Sequence, residues 1–319
     1  MPTSVSLATI RGEMHEPIDR RSVLRSAAVL GAAALGGRRE PVLASAPVFE
    51  ISLAEWSLHR ALKSGELDPR DFAPLARKEF GLAAVEHVNT FFQDRAVDFA
   101  YLEDMRRRAD DAGVKSLLIM CDAEGELGDA DEAARRRAIE NHFRWVAAAR
   151  YLGCHSIRVN AAGSGTPEEV SKRAADSLHR LAEMGERYSV NVIVENHGGY
   201  SSNGAWLAAT IRAADHPRAG TLPDFGNFRV SDTEEYDRYQ GVRELMPFAR
   251  GVSAKSHDFD AQGNETHTDY RRMLGIVLEA GYHGHLGIEY EGDGVPEMEG
   301  IRLTKALLER VREELADGR

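Results

Sequence analysis

Four short runs of this sequence end in side chains that do chemistry. VENHGG carries Glu195 and His197, and LPDFGN carries Asp224 and Asn227. SAKSHDF carries Lys255 and His257, and GIEYEG carries Glu289 and Glu291. Each is rich in apolar residues at or before its start, as a buried strand is, and then breaks into polar residues and glycine. Residues two apart on a strand share a face, so Glu195 lies with His197 and Lys255 with His257. Three carboxylates gathered without a cation repel one another and resist ionisation. With the imidazole of His257, the acids Glu195, Asp224 and Glu289 make a site for a divalent metal ion such as Mn²⁺, Mg²⁺, Co²⁺ or Zn²⁺. The third run allows a second arrangement. If Lys255 takes the ligand position, its ammonium replaces the metal or polarises a carbonyl itself.

Holding four such ends together requires strands that run in parallel. The runs 48–56, 82–89, 114–120, 155–161, 190–196, 219–227, 251–259 and 284–292 read as strands. Between and after them the spacing predicts helices over 69–80, 99–112, 131–152, 167–188, 204–214, 234–248, 269–280 and 297–315. Asp68 and Thr166 are placed as N-caps, Pro167 at a first helical position, and Gly81, Gly113 and Gly153 as stops. Eight strand–helix pairs in succession imply a parallel sheet with helical crossovers, the number that closes an α/β (β/α)8 TIM barrel. No glycine-rich fingerprint follows the first strand, which leaves a dinucleotide-binding open sheet without support. In a barrel, groups at the carboxyl ends of strands face the active site. Glu86 on the second strand and Arg158 and Asn160 on the fourth therefore join His197, Asn227 and Lys255 as candidate substrate-binding residues. Trp206 and the Phe91–Phe92 pair are candidates for an apolar wall on which a sugar stacks.

The chain has 319 residues, 43% hydrophobic and 29% charged, with a net charge of −11. That suits a single globular domain, and the acidic balance argues against a nucleic-acid partner. Two cysteines, Cys121 and Cys154, are too few for a disulfide framework and read as small buried hydrophobes. Residues 19–37, DRRSVLRSAAVLGAAALGG, place Arg20-Arg21 before a short Ala/Leu/Val run, as a twin-arginine-type signal peptide does. The run is too short and too weakly apolar to span a membrane. Residues 1–46 are expected to be this signal and a linker, removed on export to the periplasm, and 47–319 the barrel.

The order Glu195, Asp224, His257, Glu289 on strands five to eight, with the runs VENHGG, LPDFGN and IEYEG, resembles the xylose-isomerase-like superfamily of sugar isomerases and epimerases. The resemblance spans the chain from roughly residue 48 onward. It implies that Glu195 and Glu289 hold the metal and also move protons from opposite faces of the substrate, with Asp224 and His257 completing the metal site. Two positions depart from the family's epimerases: Asn227 stands where they often carry a histidine, and HDFDAQGN lacks their substrate-gripping arginine. The implied substrate is a small carbohydrate, a free or oxidised keto-sugar, and barrels of this kind often pair as homo-oligomers. Proton removal beside a carbonyl gives an enediolate. Return to the opposite face epimerises, return at the adjacent carbon isomerises, and loss of a β-leaving group makes a lyase. A non-catalytic sugar-binding protein is the other alternative, and the presence of both Glu195 and Glu289 favours an enzyme.

Overall fold

The structure, a computed structural model, describes residues 47–316; the expected signal segment lies outside the described residues. Eight strands form one parallel sheet: β1 Glu50–Ala54, β2 Ala84–Val88, β3 Lys115–Met120, β4 Ser156–Val159, β5 Asn191–Glu195, β6 Ala219–Leu222, β7 Val252–Ser256 and β8 His285–Tyr290. They pair in the order β6-β5-β4-β3-β2-β1-β8-β7. The two ends of that series meet just past β6. The Ser253 amide donates to the Pro223 carbonyl at 2.9 Å, and the Phe225 amide donates to the Ser253 carbonyl at 3.1 Å. Parallel bridges Thr221–Ala249 and Asp224–Ser253 complete the seam. The sheet is thus a closed TIM barrel, and its closing seam runs through the segment that carries Asp224.

The helices follow from local chemistry. A short α1, His59–Ser64, is followed by α2 Phe72–Phe80, α3 Phe99–Ala112, α4 Glu132–Leu152, α5 Pro167–Tyr188, α6 Gly204–Ala214, α7 Arg238–Leu245, α8 Tyr270–Glu279 and α9 Glu297–Ala316. Thr166 and Glu169 form a reciprocal capping box that starts α5. Asp68 caps a single 3₁₀ turn, Pro69–Asp71, which leads into α2. Gly81 ends α2 with φ 69°, a left-handed conformation that favours glycine. The helix expected over 234–248, α7, begins later than its sequence pattern suggests. Glu234–Glu235 pairs with Arg229–Ser231 in a two-stranded ribbon, and the Asp237 carboxylate, accepting from the Gln240 amide at 2.7 Å, sets the true start. Cys121 and Cys154 are both free and buried. Among the described residues, no helix is long and apolar enough to cross a membrane.

Two apolar clusters fill the space between sheet and helices, and a third, of Ala54, Val88, Leu118, Met120, Ile193 and Leu222, fills part of the barrel interior. Alternation along the strands sends a second, polar set inward. Glu86 on β2 lies there, accepting a hydrogen bond from Ser52 Oγ at 2.6 Å. Gly287 on β8 makes the room: a Cβ at that position would stand 2.5 Å from both Glu86 carboxylate oxygens. Burial, reinforced by the nearby Glu289 and Glu195 charges, pushes the Glu86 carboxyl up to about 8 against the pull of Ser52.

Two outcomes follow from this layer. The folded-state value of Glu86, about 8, lies above its ordinary 4.5, so the folded chain holds a proton that the unfolded chain releases. That contribution is full below pH 4.5 and is lost as the pH rises through 8. Glu86→Gln is therefore expected to match the wild-type Tm near pH 4.5 and to exceed it at pH 8.5, read by thermal melts across that range. Gly287→Ala drives a methyl group into the Glu86 carboxylate and is expected to cost about 1–3 kcal/mol in urea denaturation.

Candidate active site

Above that layer the carboxyl ends of β4 to β8 converge. One oxygen from each of Glu195, Asp224 and Glu289 lies within 4.8 Å of the other two, and all three residues are buried. Asp224 is fixed by its backbone surroundings. The amides of Gly226 and Asn227 both donate to its Oδ1 at 2.7 Å. Asn196 clamps the same residue, donating from Nδ2 to the Asp224 carbonyl at 3.0 Å and accepting its amide at 2.8 Å. Glu195 takes a hydrogen bond from Asn227 Nδ2 at 3.1 Å and lies 2.8 Å from Arg158 Nε. Glu289 lies 2.8 Å from Lys255 Nζ. The Ser253 hydroxyl sits 2.8 Å from Glu289 Oε2 and 2.9 Å from Asp224 Oδ2.

Two buried cations face five acids. Arg158 bridges Asp122 at 2.6 Å and Glu195, while Lys255 reaches Glu289, Glu291 at 3.0 Å and Asp224 at 3.8 Å. Burial opposes the charge on Lys255, but Glu289, Asp224 and Glu291 outweigh it and hold the ammonium well above its ordinary value. Burial raises Glu195 to about 7 despite Arg158, and raises Asp224 to about 7 despite Lys255. A hydroxyl has one proton to give, so Ser253 cannot donate to Asp224 and Glu289 at once. Acids in excess of cations and a shared single proton are the surroundings a divalent cation fits. Glu195, Asp224 and Glu289 are the residues that would hold it.

The structure brings most of the expected residues to this mouth and shifts others. Asn227 contacts Glu195 directly. Asn160 donates to Asp122 at 2.9 Å and stands beside Arg158. His197 is exposed at the lip, its amide donating to Ser201 Oγ. Glu86 belongs to the layer beneath, hydrogen-bonded to Ser52. His257 lies past the end of β7 and outside the acid cluster; its Nε2 is 3.8 Å from Glu291, and its ring meets His267 edge-on at 5.8 Å. The reason is the seam. Pairing Asp224 with Ser253 sets the inward order Ser253, Lys255, His257, so the serine meets the acids, the lysine sits above it, and the histidine is left at the rim.

Two participants were not visible as such in the sequence. Ser253 carries no chemical signature until its neighbours are known. Asp122 stands two residues past the end of β3, and its position at a strand's carboxyl end was the available signal. The apolar wall also differs from expectation. Trp56 stacks on Phe91 with centroids 5.9 Å apart, and its Nε1 donates to Glu291. Trp206 instead packs on Tyr200 and donates to the Pro167 carbonyl, and Phe92 is buried against Trp145.

A family model described as xylose isomerase-like TIM barrel matches residues 75–313. No curated protein matches the chain significantly. Among solved structures, the chain is similar to apo 3-keto-D-glucoside 4-epimerase from E. coli, with 16% identity and a TM-score of 0.61 over 82% of this chain and 99% of that one. It is similar to the IolI protein with a bound zinc atom, at 14% identity and a TM-score of 0.66 over 83% and 99%. A xylose isomerase-like TIM barrel protein from Mycobacterium smegmatis in complex with magnesium gives 16% identity and a TM-score of 0.63 over 84% and 98%. With its eightfold barrel and three acids at the strand ends, this chain belongs to the xylose isomerase-like TIM barrel family.

Proposed function

We propose that the protein is a metal-dependent sugar isomerase or epimerase that moves a proton beside a carbonyl of a free or oxidised keto-sugar. The observation that carries this reading is the approach of Glu195 from β5 and Glu289 from β8 to one buried point shared with Asp224. Glu195, Asp224 and Glu289 would hold a divalent cation, which would supply the Lewis acidity that acidifies a C–H beside a substrate carbonyl. Glu195, raised to about 7 by burial, is poised near neutrality to take and return a proton at its carboxylate. Asn227 and Arg158 fix the orientation of that carboxylate. Glu289, fixed between Lys255 and Ser253, works from the other side of the mouth. Trp56 and Phe91, stacked on each other beside Glu291, give one side of the mouth an apolar lining. The keto-glucoside epimerase among the structural neighbours supports an oxidised sugar as substrate. The reading includes export: a leader at Arg20-Arg21 would place the barrel among free and oxidised sugars in the periplasm.

The test uses Glu195→Gln, Glu289→Gln and the double variant with ketohexoses and 3-keto-glycosides in D₂O, followed by NMR. Each single variant is expected to lose isomerised or epimerised product by about 10²–10⁴-fold, and the double variant to lose all deuterium wash-in. Wash-in that persists in the double variant contradicts the mechanism.

A further inference from the structure

We infer that this centre is an all-oxygen site completed by Ser253, and that this donor set narrows the usual preference for Zn²⁺ over the hard cations Mg²⁺ and Mn²⁺ to a small margin. The inference rests on the proposed reading that the acid cluster holds a divalent ion. Ser253 is fully buried, and its Oγ lies within 3 Å of an oxygen from each of Asp224 and Glu289. Its backbone is fixed on both sides by the seam: the amide donates to Pro223 and the carbonyl accepts from Phe225. The side chain points into the acids. After its single proton goes to one carboxylate, the oxygen keeps lone pairs facing the other.

No nitrogen or sulfur ligand stands beside it. Among the described residues the cluster holds Glu195, Asp224 and Glu289, and neither His197 nor His257 joins it. Lys255 comes within 2.8 Å of Glu289, but an ammonium has no lone pair to offer and serves as counter-charge. Carboxylate, hydroxyl and water oxygens suit Mg²⁺ and Mn²⁺, whereas protein zinc sites draw on imidazole and thiolate. With His257 at the rim, the oxygens of the three acids and of Ser253 set the ion that the site prefers.

The experiment titrates the chelator-stripped full chain with Mn²⁺, Mg²⁺ and Zn²⁺ by competition calorimetry. Wild type is expected to bind one Mn²⁺, with Zn²⁺ favoured by no more than about tenfold. Ser253→Cys is nearly isosteric and replaces a hard donor with a soft one. It is expected to raise the Zn²⁺:Mn²⁺ affinity ratio about 100-fold and to give a thiolate–Cd²⁺ charge-transfer band. Should that variant not fold, Ser253→Ala is expected to weaken Mn²⁺ binding about tenfold. A wild-type preference for Zn²⁺ of more than about tenfold, or a cysteine variant with an unchanged ratio and no band, overturns the inference and leaves the metal reading standing. No uptake of any of the three ions overturns both.

Discussion

The structure turns on the crowding of carboxylates at the mouth of a closed barrel. Glu195, Asp224 and Glu289 are buried within reach of one another, where each resists ionisation in the presence of the rest. Such an arrangement survives because other groups share the charge. Arg158 spans Asp122 and Glu195, Lys255 spans Glu289 and Glu291, and the backbone amides of Gly226 and Asn227 donate to Asp224. These partners leave more acids than cations, a balance that a divalent ion would complete.

The closing seam of the barrel decides which residues reach the excess charge. Most neighbouring strands join through continuous ladders, but β6 and β7 meet through a few backbone contacts around Pro223, Asp224 and Ser253. Pairing Asp224 with Ser253 fixes the strand-seven residue that faces the acids. It also leaves His257 at the rim beside Glu291. The same alternation sends Glu86 one layer down, where Gly287 gives it room and burial keeps it largely protonated near neutrality. The polar interior is thus graded from a neutral acid beneath to a charged cluster at the mouth.

Much of this was legible in the sequence because the signals were periodic or punctuated. Eight alternations of strand and helix gave the barrel, and Thr166, Gly81, Gly113 and Gly153 marked helix ends where they occur. Glu195, Asp224 and Glu289 stood out as acids at the ends of apolar runs. The strand-seven ligand was not legible, since Ser253, Lys255 and His257 share one face and only the seam fixes their depth. Glu234–Glu235 read as helix because its residues are good helix formers, and pairing with Arg229–Ser231 overrode that preference. The aromatic wall of Trp56 and Phe91 likewise depends on a contact between the β1 and β2 loops that periodicity does not report.

The most direct measurement of the central claim is an anomalous-scattering map from crystals of the protein soaked in Mn²⁺. One strong peak among the carboxylates of Glu195, Asp224 and Glu289, with Ser253 Oγ at ligand distance, is the predicted result. An acid cluster without a peak, spanned by the Lys255 ammonium alone, would contradict the account and make the lysine the resident cation of the site.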